Sequence, residues 1–527
     1  MPEIEFLSLF DVDAESDAAL LRRLSRFLLE KGYVRPSFEA AVLAREKKYP
    51  TGIMAQEFGV AIPHTDCEHV VRNAVVTVTL RRPVSFAAMG GEEGETVPVE
   101  CLFLILLAET GAQVKLLMHF MKIIQNRDDL RQVRNSHDAS EVEALLRNYL
   151  TDGGEAPKKM QELEKHIFEL SKLHGISSRE DEAARYMLDA FRAVDAGASM
   201  DVLGNVTCHV SCGDPGAKKL LIFAHTDELG FIVRKVEEDG FLRISRVGGV
   251  TVNVLPGASV DVLAKGGVVR GVIGVKSHHV MTADDKRYVP EVDDLYIDIG
   301  ASSRAEAEKR GVHTGCFVTF AAAEPVKLGG DLICGKAMDD RSCCAVLIEA
   351  AKGIQKLAQS KKLRWDVYLV ACVQEEFNVR GIMPAVNSIR PDASIGMDIC
   401  IAADTPELKG YSEIRLGGGP AITYLNFHGR GTLAGVLPDE KLLERLEGVF
   451  EDEKIRFQRE VSLGIITENA FISFQNEGVA VANISVPCRY THSQIETVDE
   501  RDLEDMVRAL VAFSGSLGAQ ERFGKNS

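Results

Sequence analysis

Beyond residue 160 the chain repeats one pattern: short apolar runs alternate with stretches of helical periodicity, as at 220–224 (LLIFA), 365–373 (WDVYLVACV), 394–397 (SIGM) and 479–486 (VAVANISV). Strands that alternate with helices in this way argue for an α/β fold whose sheet is mostly parallel and covered by helices. One stretch breaks the rhythm. From about 234 to 327 the chain reads as short strands and glycine turns (GFLRISRVGGV, GGVVRGVIGV, DLYIDIGA, GCFVTF), a β-rich insertion.

The first 150 residues form a separate small α/β unit. Residues 17–31 place Leu20, Leu21, Leu24, Phe27 and Leu28 at helical spacing, and 36–48 reads as a second helix with proline near its start. Residues 74–80 (AVVTVTL) and 97–107 (VPVECLFLILL) read as strands, and 114–124 (VKLLMHFMKII) as a buried helix. The segment 151–159 (TDGGEAPKK) is a linker by its glycine, proline and charge. The expected division is therefore 1–150, the linker, a larger α/β domain over 160–233 and 328–520, and the insertion over 234–327.

Composition excludes several classes. The net charge of −17 disfavours nucleic acid and anionic membrane surfaces. Eleven cysteines without paired CxxC spacing point to reduced thiols rather than structural zinc. The acidic start (MPEIEFLSLFDVDAES) lacks the basic flank of a signal peptide, and no apolar run reaches the roughly 18 residues of a membrane span. A cytoplasmic protein is expected.

The placement of histidines and carboxylates carries the chemistry. His225 and Asp227 follow one apolar run, Glu375 and Glu376 a second, and Asp398 a third; His492 lies in the loop beyond a fourth. Asp339 and Asp340 stand just before a helix that starts near Ser342. In open α/β sheets ligands bind beyond the carboxyl ends of the strands, so these groups converge on one rim. Adjacent carboxylates such as Glu375 and Glu376 repel one another unless a cation or proton compensates. Two histidines with several carboxylates suit zinc, cobalt or manganese.

The segments AHTDELGFIV, GKAMDDRSC, VQEEFNVRG, MDIC with ADTPE, LGGGPAI and PCRYTHSQIE, in this order, resemble the glutamyl/tetrahedral (TET) aminopeptidase family. The resemblance spans about 158 to 520. It implies a zinc-peptidase-like α/β sandwich whose β-rich insertion serves dimerisation, and a homo-oligomer, either a dimer or a tetrahedral dodecamer. It also implies two divalent ions, zinc or cobalt, with manganese compatible. On this family's pattern His225 and Asp398 ligate one ion, Glu376 and His492 the other, and Asp339 bridges them. Glu375 is then the general base and Asp227 the carboxylate that orients His225. The chain departs from the family at Thr467-Glu468-Asn469-Ala470, where a Gly-Thr-Asp-Ala stretch is usual, and this bears on substrate preference.

The segment AREKKYPTGIMAQEFGVAIPHTD, residues 44–66, resembles the enzyme IIA domain of the fructose/mannitol class of the sugar phosphotransferase system. The resemblance implies that His64 accepts a phosphoryl group, that Arg45 pairs with it, and that HPr and a permease subunit are partners. Gln113 stands where some members carry a second histidine, with His119 further along the helix.

The function expected is therefore a dinuclear-metal aminopeptidase acting on peptide N-termini, fused to a phosphoryl-carrier or regulatory domain. A phosphocarrier with a vestigial peptidase half is disfavoured by the complete ligand set. A glycosidase, which needs only two carboxylates, accounts for neither the two histidines nor the bridging aspartate.

Overall fold

The structure is a computed structural model that describes residues 4–55, 58–91, 94–108, 123–124, 127–150, 158–429 and 435–525. It divides into two compact units, Met1–Gln161 and Glu162–Ser527.

In the first unit five strands lie in the order Glu5–Val12, Ala74–Ala87, Thr96–Leu106, Gly59–Ala61, Gly52–Met54. Val76, Val78, Leu102 and Leu104 face one apolar layer, which includes Leu20, Leu21, Leu24 and Leu28 of the helix Asp17–Glu30. Val75, Cys101, Phe103 and Ile105 face a second layer. Both faces are covered, so the two longest strands are buried on both sides, from Ala74 to Leu80 and from Cys101 to Leu106. The strand starting at Ala74 runs past the expected end at Leu80, because a register shift between Thr79 and Val84 lets pairing resume beyond Pro83. The helix expected over 114–124 lies outside the described residues apart from Ile123 and Ile124, as do Gln113, His119 and the linker residues 151–157.

The second unit holds a sheet and a barrel. The strands Ala480–Arg489, Ala393–Ile401, Lys219–His225 and Asp366–Cys372 lie side by side and all run parallel. The flanks are antiparallel: Val206–Val210 pairs with Asp366–Cys372, and Glu496–Asp499 with Ala480–Arg489. The parallel part thus holds the strands that bring up the site residues. Lys219–His225 comes first in the chain, and later strands add on both of its sides. Its carboxyl end is a topological switch point, where such sheets bind ligands.

The helix Met338–Gln359 is buried continuously from Met338 to Ala351. Small residues allow that: a Cβ at Gly353 would meet Val511 Cγ2 at 2.5 Å in the helix Glu500–Ser516. The adjacent Cys343 and Cys344 serve here as small buried side chains, and all eleven cysteines are free. Among the described residues no helix is long and apolar enough to cross a membrane.

The insertion is a closed antiparallel barrel of Gly230–Val236, Leu242–Val247, Tyr296–Asp298, Gly267–Ile273, Ser259–Ala264 and Phe317–Phe320. Phe231, Val233, Leu242, Ile244, Val260, Val262 and Val318 fill it. Its first strand begins at Gly230, before the composition shift at Arg234, because GFIV reads like the apolar strands of the neighbouring sheet.

Candidate metal centre

His225 is the last residue of its strand and pairs with Cys372, so Glu375 and Glu376 leave the adjacent strand end beside it. Asp398 lies inside the strand Ala393–Ile401 rather than after it, because Ile399, Cys400 and Ile401 go on pairing with Val486, Pro487 and Cys488. Asp339 and Asp340 sit in the first turn of the helix Met338–Gln359 with non-helical backbone, φ −74 and ψ 106 at Asp339 and φ −119 and ψ 26 at Asp340. His492 occupies the connection between Ala480–Arg489 and Glu496–Asp499, with φ 61. Gln374, Asn378, Val379 and Tyr490 also have positive φ. Strained backbone of this kind gathers at functional sites.

These elements form two ligand clusters, His225 with Asp339 and Asp398, and Asp339 with Glu376 and His492; in each, one potential ligand atom per residue lies within 4.8 Å of the others. Asp339 belongs to both. Its Oδ1 is 3.1 Å from His225 Nε2, and its Oδ2 is 3.5 Å from His492 Nε2. Glu375 belongs to neither; its Oε2 lies 3.9 Å from His225 Nε2.

Each histidine is oriented through its other ring nitrogen. His225 Nδ1 lies 3.2 Å from the Asp227 carbonyl and 3.5 Å from Asp227 Oδ1. His492 Nδ1 lies 2.7 Å from the Gly249 carbonyl oxygen, which can only accept, so Nδ1 carries the proton. Both arrangements give Nδ1 a protein oxygen as partner and turn Nε2 toward Asp339, the ring nitrogen a metal would take. The Asp227 carboxylate also accepts from the backbone N–H groups of Glu375 and Glu376, at 2.9 and 3.1 Å, and from Ser177 Oγ at 2.6 Å. It therefore aligns the histidine and the two glutamates at once.

Several anchors have no signature in the linear sequence. Glu496 accepts from the backbone N–H of Asp339 at 3.0 Å and of His492 at 2.7 Å. Glu228 accepts from Lys336 Nζ at 2.6 Å and from Arg341 Nη2 at 3.2 Å, all three being buried. Lys336 and Arg341 flank the Asp339–Asp340 turn, and Glu228 directly follows Asp227. Adjacency to the candidate ligands is their one cue in the linear sequence.

The electrostatics fit a cation. Burial pushes the Glu375 and Asp398 carboxyls well above the usual carboxylate range, and Glu376 and Glu496 each up to about 8. Asp339 stays below that range despite burial, because His225 and His492 hydrogen-bond to it. Glu376 Oε1 and Asp340 Oδ1 are buried without a hydrogen-bond partner. Buried carboxylates at this density need compensating positive charge, and oxygens without donors are suited to a metal.

At the departure segment, Glu468 is buried and accepts from Cys372 Sγ at 3.0 Å. Asn469 accepts from Ser394 Oγ at 2.9 Å and donates through Nδ2 to the Ala482 carbonyl and to Asn483 Oδ1, at 2.9 and 2.6 Å. An aspartate at 469 has no hydrogen for either acceptor. The Asn483 amide in turn donates to Thr467 Oγ1 at 2.8 Å. Thr467, Asn469 and Asn483 thus belong to one buried polar network.

In the first unit, Arg45 Nη2 is 3.1 Å from His64 Nε2. Arginine only donates, so Nε2 accepts and Nδ1 carries the proton, donated to the Ile62 carbonyl at 3.0 Å. Burial, opposed by the Ile62 hydrogen bond, pulls the imidazole below its ordinary value and keeps it neutral.

Comparison with known proteins agrees with both halves. The family profile described as M42 glutamyl aminopeptidase matches residues 204–509. That of the phosphoenolpyruvate-dependent sugar phosphotransferase system, EIIA 2, matches residues 4–149. The protein SgcX of Escherichia coli (strain K12) is 43% identical over 353 residues, 67% of this chain and 93% of its own length. The structure of an aminopeptidase from the archaeon Desulfurococcus kamchatkensis superposes with a TM-score of 0.63 at 35% identity, covering 69% of this chain and 97% of that one. The TET1 peptidase of Pyrococcus horikoshii, described as able to assemble into a tetrahedron or a large octahedral shell, superposes with a TM-score of 0.58 at 28% identity, covering 68% and 100%. The chain belongs to the M42 glutamyl aminopeptidase family, a family of metalloaminopeptidases, and carries an EIIA type 2 domain ahead of the peptidase.

Proposed function

We propose that the chain removes N-terminal residues from peptides with two divalent ions, zinc or cobalt, manganese being compatible. His225 and Asp398 would hold one ion and Glu376 and His492 the other, with Asp339 reaching both. The observation that carries this reading is Asp339, shared by both clusters with one oxygen toward each histidine. When bound, the ions supply Lewis acidity toward the scissile carbonyl and the attacking water. Glu375, outside both clusters, accepts the water's proton and delivers it to the leaving amine as the carbon–nitrogen bond breaks. Asp227 positions His225 and holds the backbone of Glu375.

His64 Nε2 takes a phosphoryl group from a phosphorylated donor, HPr, for a sugar permease subunit, and Arg45 pairs with the phosphoryl oxygens. The chain works in the cytoplasm, where its thiols stay reduced, as a homo-oligomer, a dimer or dodecamer.

The peptidase reading is tested on chromogenic aminoacyl anilides and aryl glycosides, before and after chelation. Anilide hydrolysis that disappears on chelation and returns with zinc or cobalt is expected; turnover of glycosides alone contradicts it. For the first unit, incubation with phosphoenolpyruvate, enzyme I and HPr is expected to label the chain with acid-labile phosphate, and His64→Ala to abolish the label. Because His64 stays neutral below the ordinary histidine range, labelling is expected to persist as pH falls through about 6.5, where an unperturbed imidazole becomes half protonated. A rate that halves at that pH contradicts the neutral-imidazole account.

A further inference from the structure

The two clusters are held from different places. His225 is fully buried and takes its orientation from Asp227, two residues along the same chain segment. The His492 side chain is 38% exposed and stands on a turn with left-handed backbone at Tyr490 and His492. Besides the Nε2 contact with Asp339, its ring and main chain have three polar tethers. The backbone N–H donates to Glu496 Oε1 at 2.7 Å, the ring Nδ1–H donates to the Gly249 carbonyl at 2.7 Å, and the His492 carbonyl accepts from the Thr251 N–H at 3.2 Å. Two of the three come from residues 248–251, the turn that leaves the barrel strand Leu242–Val247.

That turn is made of bare backbone where it meets the site. A Cβ at Gly249 would lie 3.2 Å from His492 Nδ1 and 3.4 Å from its Cε1. Gly248 has φ 88, and a Cβ there would meet Leu229 Cδ2 at 2.3 Å and Glu376 Oε2 at 3.5 Å. Around the two glycines, the nearest site residues are therefore Glu376 and His492, the pair assigned to one ion.

We propose that the barrel turn 248–251 is a working part of one metal position: the Gly249 carbonyl sets the tautomer and heading of His492, and so governs cation capture by the Glu376–His492 pair but not by the His225–Asp398 pair. Gly249 is a positioning residue. A Cβ there, 3.2 Å from Nδ1, makes the ring give way by a few tenths of an ångström and loosens its bond to the Gly249 carbonyl, so that Nε2 is held toward Asp339 less firmly. The inference rests on the ligand assignment proposed above.

The test is titration of metal-stripped, full-length protein with cobalt, followed by the visible absorption of the bound ion and by calorimetry. The wild type is expected to take up two ions per chain. In Gly249→Ala one ion is expected to bind as in the wild type and the other about 10-fold more weakly, the low end of the cost of disturbing the group that orients a metal-binding histidine, since the carbonyl stays but the ring is pushed from it. Gly266→Ala, whose Cβ would meet nothing within 4 Å, is the barrel control and is expected to match the wild type. Thr251→Pro is a second variant should Gly249→Ala fold poorly; Thr251 has φ −78, which suits proline, and the change removes the N–H given to His492. It is expected to weaken the same single ion. Two ions bound with wild-type affinity in both variants, or equal weakening of both ions, overturns the proposal. A wild type that takes up no cation overturns the ligand assignment beneath it.

Discussion

Glu375→Gln is expected to keep its metal and to lower kcat by roughly 10²–10⁴-fold, the usual worth of a positioned general base. The substitution preserves shape. The backbone N–H of residue 375 still donates to Asp227, and neither ligand cluster loses an atom. What disappears is a carboxylate that can accept a proton 3.9 Å from the His225 ring nitrogen. An amide oxygen in its place accepts a hydrogen bond but takes up no proton. Because the lost interaction belongs to the transition state, KM is expected to change little. Metal analysis beside steady-state kinetics decides it: a variant that loses its metal makes Glu375 a ligand, and one that turns over normally places the base elsewhere.

The largest stability effect is expected at Glu228. Its carboxylate stands between Lys336 and Arg341, and it also accepts from the backbone N–H of Gly175 at 3.0 Å. Burial pushes the Lys336 ammonium down to about 8 even with Glu228 beside it. Arg341 is fully buried and donates to the Thr226 carbonyl at 3.0 Å and the Leu170 carbonyl at 2.8 Å, so it cannot swing out to water without breaking both bonds. Removing the carboxylate leaves two buried cations facing each other. Glu228→Ala is expected to cost about 3–5 kcal/mol, the range for breaking a buried ion pair from one side. The single tryptophan, Trp365, is buried in the same unit, so its fluorescence in urea reports the loss directly. A cost below about 1 kcal/mol, typical of exposed pairs, contradicts the account. The same variant is expected to bind metal poorly, because Lys336 and Arg341 flank the Asp339–Asp340 turn.

Why some of this was legible in the sequence and some not follows from the range of the interactions. The strand ends stand out because an apolar run stops at a histidine or a carboxylate, a local event at His225 and Glu375. The family motifs add roles to those positions. Asp398 shows the limit of local reading: the apolar run ends at Met397, yet hydrogen bonding to Val486–Cys488 carries the strand through Asp398 to Ile401. Glu228, Lys336, Arg341 and Glu496 are a different case. They join segments more than a hundred residues apart, as in Glu228 with Lys336 or Glu496 with Asp339, and a single sequence holds no trace of such pairing. Gly249 is harder still, since its contribution is a carbonyl oxygen that every residue type possesses. The departure at Thr467–Ala470 is visible as a mismatch, but its meaning comes from Asn469, which must donate to two acceptors. In the first unit, Arg45 and His64 lie on separate elements, and their 3.1 Å approach is a product of the fold.

The most direct test of the central claim is the number of divalent ions bound per chain, measured by elemental analysis on purified wild-type protein, with release of N-terminal residues from an aminoacyl-substrate panel assayed on the same sample. The account predicts about two ions per chain, activity that disappears when they are removed and returns when they are restored, and cleavage only of substrates with a free N-terminal amine. Full hydrolysis by the metal-free protein, or a stoichiometry that saturates at one ion with full activity, would contradict it.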